Sequence, residues 1–323
     1  MPELPEVQTT VNGLKRLIGL RITDIWSDYN SLFYKGKANI NDPAHFRIFK
    51  KGVIGAKILG VERKAKNIFI HLSSGFSIFA HMKMTGHFMH GEYEKIGLGW
   101  RAKRGKKSAG IEETRKNVVS EEEIIKNGSG LHDPYNRFVR LVFSLSDGAH
   151  LVLSDMRRFA KVALVKTADI NSLPEISVLG PEPLDSSFTL SKFKEVLSQK
   201  PNGKIKTVLM DQTVISGIGN IYSDEILWRA GVHPESLVRA IPPARLSPIF
   251  SATRTLLKKG IDFGGDSMSD YRNIDGEKGK FQEEHQAYRK AGKPCTKKGC
   301  HGTIIRKIVG GRSAHFCDTH QKL

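Results

Sequence analysis

The 323-residue chain has few cysteines, no long apolar run and a deficit of acidic residues. Three cysteines, all near the C-terminus, are too few for a disulfide framework and favour a metal site instead. No apolar run approaches the roughly 18 residues of a membrane-spanning helix. The N-terminus also lacks a basic segment followed by an apolar one, as a secretory signal would have. We therefore expect a cytoplasmic protein without a membrane anchor.

Acidic residues number 33 against 51 lysines and arginines, so the formal net charge is +18. A globular and strongly basic chain points first to a nucleic-acid partner, because a positive surface attracts phosphates. A basic protein without such a partner is the alternative that charge alone leaves open. The apolar fraction of 39% is sufficient for real cores. The length allows two domains or three small ones.

The first seven residues read MPELPEV. Proline is a small second residue, so we expect removal of Met1, which would leave Pro2 with a free secondary amine. An α-amino group has a pKa near ~7.7–8.0, so part of it is unprotonated near neutral pH and can attack a carbonyl-type carbon to form an iminium. Glu3 could exchange a proton in such a reaction. An ordinary helix start, where the missing N–H of proline costs nothing, is the simpler interpretation.

Apolar residues at steps of three and four, from Leu4 to Ile18, predict an amphipathic helix over residues 3–19. Glu3 and Glu6 would share one face near its positive end. After it the chain becomes strand-like, with short apolar segments separated by turn residues. These segments are residues 67–72, 76–81, 138–146, 149–154 and 160–166. Many short strands without alternating helices predict an antiparallel β-sandwich.

Residues 91–130 interrupt the strands with the basic run RAKRGKK at 101–107 and a helix-capping pattern at 120–123. We interpret this segment as an inserted basic loop that touches DNA or is simply solvated. After a rigid linker at 180–183 the pattern becomes helical. The predicted helices span 189–199, 205–213, 221–230 and 245–260. Residues 264–279, rich in glycine, aspartate and serine, predict a loop.

Three cysteines and a histidine near the C-terminus form two pairs with metal-binding spacing. They are Cys295, Cys300, Cys317 and His320. Sulfur and imidazole ligands favour tetrahedral zinc, and the site would be structural because all four positions are filled. His301 and His315 are competing fourth ligands. Between the two pairs, Gly310 and Gly311 predict the tip of a β-hairpin from which Arg312 projects.

Three further segments carry candidate binding residues. The run DQTVISGIGNIY at 211–222 places a glycine turn between two helices, with Asn220 opening the second. Backbone N–H groups there can hold a phosphate, and Lys206 on the preceding helix could add charge. In HMKMTG at 81–86 and DMRRF at 155–159, Met84 and Phe159 are residue types that wedge between bases, and Arg157 can replace a pairing partner. From spacing alone, ordinary core packing of the methionine and phenylalanine is the stronger interpretation.

Together these segments resemble the bacterial-type formamidopyrimidine-DNA glycosylases of the Fpg/Nei superfamily over nearly the whole chain. The matching motifs are PELPEV, MTG at 84–86, RRF at 157–159, LGPEPL at 179–184, GIGNIYSDE at 217–225, RAGVHP at 229–234 and the terminal GGR…FC…H. The resemblance implies an α+β, bilobal fold. An N-terminal helix plus antiparallel β-sandwich (1–170, with the insertion 91–130) would precede a helix–two-turn–helix domain (184–290) and a C-terminal β-hairpin zinc finger (291–323).

The resemblance also implies base-excision repair of damaged double-stranded DNA by a bifunctional glycosylase and AP lyase. The substrates would be oxidised purines such as 8-oxoguanine and formamidopyrimidines. Pro2 would attack the sugar C1′ as nucleophile, Glu3 would transfer protons, and Glu6 would support the amine. Elimination of the 3′ and then the 5′ phosphate would follow the iminium. One structural zinc, no catalytic metal and a monomer at the bacterial nucleoid are expected.

Other residues take roles from the resemblance as well. Lys66 would lie near the reacting phosphate. Phosphates around the lesion would be held by His81, Lys206, Asn220, Tyr288 and Arg312. The gap left by the extruded base would be filled by Met84, Arg157 and Phe159. Asn136 stands roughly where the family has a DNA-contacting histidine, and the loop that recognises the base is expected within 264–276.

Two other functions remain in competition. The same chemistry could act on oxidised pyrimidines, as in the Nei branch, although PELPEV favours the purine branch. A non-catalytic binder of damaged DNA would use the basic surface and the finger alone. That function requires a blocked or misplaced N-terminus, so retention of Met1 would favour it.

Overall fold

The computed structural model describes residues 1–29, 36–103 and 130–323. The helices are α1 (Leu4–Leu14), α2 (Pro43–Val53), α3 (Pro174–Ser177), α4 (Leu190–Ser198), α5 (Ile205–Met210), α6 (Asn220–Ala230) and α7 (Pro243–Asp262). The strands are β1 (Ile22–Ser27), β2 (Ile58–Lys64), β3 (Asn67–Leu72), β4 (Phe76–His81), β5 (His87–Gly91), β6 (Tyr93–Ile96), β7 (Gly99–Ala102), β8 (Val139–Leu145), β9 (His150–Ser154), β10 (Lys161–Lys166), β11 (Ile304–Val309) and β12 (Arg312–Cys317). Short 3₁₀ turns lie at Lys15–Leu17, Gly130–His132, Pro134–Arg137, Thr167–Ser172, Val238–Ala240 and Phe281–Glu284.

Two four-stranded antiparallel sheets form the predicted sandwich, with strand orders β1-β8-β9-β5 and β10-β4-β3-β2. Side chains alternate between the faces of each strand, as a period of two requires. In β8, Leu141 and Phe143 enter the core between the sheets, whereas Val142 belongs to a separate cluster. Val139 joins the cluster of Val142 because the strand register shifts between Val139 and Leu141. From the other sheet, Ile70 and Ile78 join the same central core. The α+β fold class is confirmed.

The start of the predicted insertion is a β-hairpin rather than a loop. Strands β6 and β7 pair with each other around a turn that contains Gly97, which has a φ of 53°. Tyr93 and Ala102 pack with Met89 from β5, and Trp100 packs against them. The basic residues around the hairpin obscured this short alternation in the sequence. The rest of the insertion, including most of the run at 101–107 and the capping pattern at 120–123, lies outside the described residues.

Helices α4 to α7 surround a second core that includes Phe193, Leu209, Ile226 and Leu257. Three of the four predicted helices differ by at most two residues at either end from those observed. Helix α5 ends early, at Met210, because the Asp211 carboxylate accepts the backbone N–H of residue 213 and closes a turn. The predicted loop at 264–279 contains no helix or strand in the part of the chain that the structure describes.

The apolar side chains of helix α1 are divided between the two cores. Leu4 packs in the helical core, whereas Val7, Val11 and Leu14 pack in the sandwich. The helix ends at Leu14, five residues earlier than predicted, and a 3₁₀ turn follows. Ile18 was predicted to be part of the helix's apolar stripe, but it is 47% exposed. The N-terminal segment therefore lies between the two lobes.

Strands β11 and β12 form the C-terminal hairpin, in register from Ile304 opposite Cys317 to Val309 opposite Arg312. This pairing confirms the hairpin with Arg312 beside its tip. Among the described residues, no helix is both long and apolar enough to cross a lipid bilayer.

Candidate active site

The Glu3 carboxylate is bound by the backbone at the start of helix α6. Its Oε2 accepts the N–H of Gly219 at 2.7 Å, and its Oε1 accepts the N–H of Ile221 at 2.8 Å. A helix N-terminus carries unpaired N–H groups and a partial positive charge, so it stabilises an anion. The sequence predicted a phosphate at these groups. The anion that they bind here is the protein's own Glu3, which corrects that prediction.

Two glycines allow the first residues of the chain to lie against the turn that precedes α6. Gly217 has a φ of 90°, a conformation that L side chains rarely adopt, and its carbonyl accepts the N–H of Leu4 at 3.0 Å. A Cβ on Gly219 would lie 2.4 Å from Cδ of Glu3. The turn at residues 217–219 therefore leaves room for the first residues of the chain to pack against it.

Lys66 is also buried, and it lies close enough to Glu3 for the charge of each group to act on the other. Its Nζ donates to the carbonyl of Ile218 at 2.7 Å, on the same turn. Burial lowers the pKa of Lys66, and the nearby Glu3 charge opposes that shift. Burial likewise raises the pKa of Glu3, against the opposing effects of Lys66 and of the backbone N–H groups. Both side chains are therefore shifted toward their neutral forms, as proton-transfer groups require.

Glu6 links the N-terminal helix to two other segments. Its carboxylate accepts the N–H of Glu3 at 2.7 Å, the N–H of Asp266 at 2.8 Å and the hydroxyl of Tyr222 at 3.1 Å. Burial, followed by the charge of Glu3, raises the pKa of Glu6 to about 7. Glu6 thus ties α1 to the loop at 264–276, which was expected to recognise the base.

A cleft of about 800 Å³ opens over this site. Predicted site residues from both lobes and the hairpin line it. They are Glu3, Lys66, His81, Met84, Arg157, Asn220, Tyr288 and Arg312. Met1 also lines the cleft, and the next residue, Pro2, is buried. Met268, Ser269 and Asp270 from the predicted recognition loop reach the same space.

Met84 and Phe159 do not pack in a core. They are 41% and 43% exposed, and the guanidinium of Arg157 lies 4.5 Å from the centre of the Phe159 ring. The segments that carry them are joined by the buried Asp155, whose carboxylate accepts the hydroxyl of Thr85 and the N–H of residue 160. The core-packing interpretation is therefore wrong for both side chains.

Lys206 and Asn136 are not placed to contact a ligand. Lys206 is fully buried, and its ammonium donates to Asp224 at 2.6 Å. Asn136 is 2% exposed, bonds His87 at 2.8 Å and donates to the carbonyl of Gly276 at 3.0 Å. Both predictions are corrected, because a buried and fully bonded polar group stabilises the fold instead.

His81 keeps its place at the cleft in a neutral form. Its Nδ1 accepts the N–H of Lys83 at 3.0 Å. Burial, followed by the charges of Lys83 and Lys66, lowers the pKa of His81 to about 3. A neutral imidazole with one nitrogen already occupied can offer Nε2–H as a donor.

Two adjacent carboxylates on α6 hold the C-terminal segment, a function that sequence reasoning missed. Asp224 accepts both the N–H and the Nδ1 of His315, at 2.9 and 3.0 Å. Glu225 accepts the N–H of Tyr288 at 2.8 Å and those of the two preceding residues. The sequence feature that could have indicated this role is the pair of consecutive acidic residues in a helix that packs in a core. His315 is not part of the cluster of potential metal ligands that the described residues form, whereas His320 is.

The four predicted metal ligands converge at one point. The ligand atoms of Cys295, Cys300, Cys317 and His320 lie within 4.8 Å of one another. Sγ of Cys300 is 3.6 Å from Sγ of Cys317 and 3.6 Å from Nδ1 of His320. Tetrahedral zinc, with bonds of about 2.0–2.3 Å, separates its ligand atoms by about 3.5–3.8 Å. His320 Nε2 lies 3.1 Å from the carbonyl of Trp228, which leaves Nδ1 free to bind a metal.

Family comparisons cover most of the chain. Residues 1–162 match the formamidopyrimidine-DNA glycosylase N-terminal domain, and residues 179–272 match the formamidopyrimidine-DNA glycosylase H2TH domain. A formamidopyrimidine-DNA glycosylase of Pelotomaculum thermopropionicum is 35% identical over 324 residues, which cover 100% of both chains. One from Bacillus cereus is 32% identical over 320 residues, covering 98% of each.

Solved structures give the same similarity. A complex of Lactococcus lactis Fpg with DNA containing an abasic site has a TM-score of 0.76 and 26% identity, covering 99% of this chain and 100% of that one. A complex of the wild-type Lactococcus lactis protein with DNA containing N7-benzyl-Fapy-dG has a TM-score of 0.75 and 27% identity, covering 100% of both chains.

We expect Gly219→Ala to destabilise the fold by roughly 2–4 kcal/mol, because the new Cβ overlaps Glu3 and breaks its bonds to the start of α6. Urea unfolding would measure the loss. Gly99→Ala is the matched control, since the nearest atom to its added Cβ would be 3.9 Å away. Equal stability of Gly219→Ala and the native protein would contradict this account of the turn.

The raised pKa of Glu6 predicts a pH-dependent stability. The folded state binds more protons than the unfolded state between pH 4.5 and about 7, so the stability that protonated Glu6 contributes is lost as the pH rises through that window. Relative to Glu6→Gln, the native protein should lose roughly 1–3 kcal/mol between pH 5 and 8. Denaturant unfolding at each pH measures this difference, and Glu92→Gln, at an exposed site, should show none.

Proposed function

The chain belongs to the formamidopyrimidine-DNA glycosylase family, as a base-excision DNA glycosylase for oxidised purines, and from this we propose that Pro2 is its nucleophile and that it also cleaves the strand. The observation that carries the proposal is the convergence of Met1, Glu3 and Lys66 on one cleft. Removal of Met1 would free the Pro2 amine beside a fixed carboxylate. A secondary amine in that position can form an iminium with the sugar C1′.

Glu3 would carry out proton transfer in this reaction, and Lys66 would assist the elimination that follows. Glu3, with its raised pKa, can donate a proton when the base or sugar oxygen leaves and can accept one afterwards. Once the iminium forms, the C2′ proton becomes acidic, and its removal expels the 3′ phosphate. Lys66, held at the turn carbonyl, would lie near that phosphate. The same chemistry repeated would expel the 5′ phosphate.

The remaining cleft residues would hold the DNA. A base must leave the duplex before its sugar can be attacked, at a cost of roughly a few kcal/mol. The exposed Met84 and Arg157 of the cleft, together with Phe159 beside Arg157, would fill the space that the base leaves and offset that cost. Phosphates would be held by His81, Asn220, Tyr288 and Arg312, all of which line the cleft.

We infer that the four-ligand cluster binds one zinc ion through Cys295, Cys300, Cys317 and His320. The atom spacing and the fixed histidine tautomer fit a tetrahedral site. Zinc would join the segments that carry its four ligands and so stabilise the hairpin. It would take no part in the reaction at the cleft. The finer domain limits of 1–170, 184–290 and 291–323, and action at the bacterial nucleoid, are part of this proposal.

Borohydride trapping tests the nucleophile. Purified protein on a duplex with one 8-oxoguanine opposite cytosine should give a covalent band, because borohydride reduces the iminium. Pro2→Gly and Glu3→Gln should each lower that band by about 100-fold or more. Glu62→Gln, a carboxylate outside the cleft, is the control and should leave it unchanged. Undiminished nicking in both variants would rule out the mechanism, and a band only on thymine glycol would assign the enzyme to pyrimidines.

Zinc binding predicts about one equivalent of zinc per chain by mass spectrometry. His320→Gln should lose it, because a ligand is removed, whereas His301→Gln should retain it, because His301 lies outside the cluster. A strong chelator should weaken DNA binding more than it lowers the melting temperature of the sandwich. A metal-free protein with full DNA affinity would contradict the structural role.

A further inference from the structure

A second pocket of about 500 Å³ lies beside the cleft. It shares Asn220, Tyr288 and Arg289 with the cleft, so the two spaces are adjacent. Its far side is formed by Arg306 of β11 and Ser313 of β12. We call this space the flanking pocket. The family resemblance implies no role for Arg289 or for Arg306.

The flanking pocket is basic. Arg289 and Arg306 are both exposed. In the described ranges neither guanidinium has an ion pair with a carboxylate, and no carboxylate residue lines the pocket. Arg306 donates through Nε and Nη2 to the Ser313 hydroxyl, at 3.2 and 2.9 Å, which fixes its direction and leaves Nη1 available. Arginine presents several N–H donors in a planar fork that suits phosphate oxygens.

The backbone at Arg289 is in an unfavourable conformation. Its φ is 57°, in the left-handed region that favours glycine. The preceding residue, Tyr288, is held by Glu225 through its N–H at 2.8 Å, so the turn is fixed from one side. A non-glycine residue whose backbone is held in this region at the edge of a cleft is often retained for function rather than for folding.

We propose that the flanking pocket binds a backbone phosphate of the DNA next to the one held at the cleft, with Arg289 and Arg306 as its cations. The inference rests on the proposed function, because that function places a DNA strand in the cleft. Phosphates follow one another at short, regular intervals along a strand, so a strand that passes Asn220 and Tyr288 continues into this pocket. Such contacts set the position of the strand and carry no sequence information.

Salt-dependent binding tests the proposal on a duplex that cannot react, carrying a tetrahydrofuran abasic analogue. Each lost phosphate contact should lower the slope of log Kd against log salt by about 1. Arg289→Gly and Arg306→Gln should both show this decrease and bind about 5- to 10-fold more weakly. Arg47→Gln, an exposed arginine that lines neither pocket, removes the same charge and should keep the native slope.

A stability measurement separates loss of contact from loss of fold. Because glycine relieves the backbone strain, Arg289→Gly should melt about 1–4 °C higher than the native protein while binding DNA more weakly. Neutral methylphosphonates placed one at a time along the damaged strand then locate the contact. The critical position should weaken binding by the native protein but not by Arg289→Gly.

Unchanged slopes for both arginine variants, or a methylphosphonate effect that is equal in the native protein and Arg289→Gly at every position, would overturn the proposal. Failure of the proposed function has a different signature, which is the absence of nicking and of a trapped band with the native protein. Because the binding duplex does not react, the phosphate contact is measured independently of the chemistry.

Discussion

The contact on which the molecule depends is the bond between the Glu3 carboxylate and the start of helix α6. It anchors the N-terminus to the helical lobe while the rest of α1 packs in the sandwich. The carboxylate is stabilised by backbone N–H groups and Lys66 and destabilised by burial. This balance keeps Glu3 titratable beside the N-terminus, because neither its charged nor its neutral form is strongly favoured.

Helix α6 extends this arrangement to the rest of the site. Its N-terminus binds Glu3, whereas Asp224 and Glu225, in its second turn, hold His315 and Tyr288 of the C-terminal segment. One short helix thus sets the relative positions of Glu3, Tyr288 and the C-terminal hairpin. A catalytic geometry built on a helix is held more precisely than one built on loops alone. The buried Lys206 serves the same helix by neutralising Asp224.

Sequence reasoning succeeded where the signal is local. Strand β3 follows from its apolar run, the hairpin at β11 and β12 from its glycines, and the metal cluster from ligand spacing. It failed where a role depends on a distant partner. Lys206 carries the charge of a phosphate ligand, but it is buried and its ammonium pairs with Asp224. Asn136 is buried as well, and it donates a hydrogen bond to the carbonyl of Gly276. Charge and residue type alone do not reveal such long-range pairing.

The hydrogen bonds of Glu3 to the start of α6 join residues that are 216 and 218 positions apart in the chain. The ribosome makes the N-terminus first, yet Glu3 reaches its place only after α6 has emerged and folded. At about 5–20 residues per second, this separation corresponds to about 10–40 s of synthesis. A nascent or truncated chain would therefore carry the proposed nucleophile without the site that directs it, so unassembled protein should be harmless to DNA.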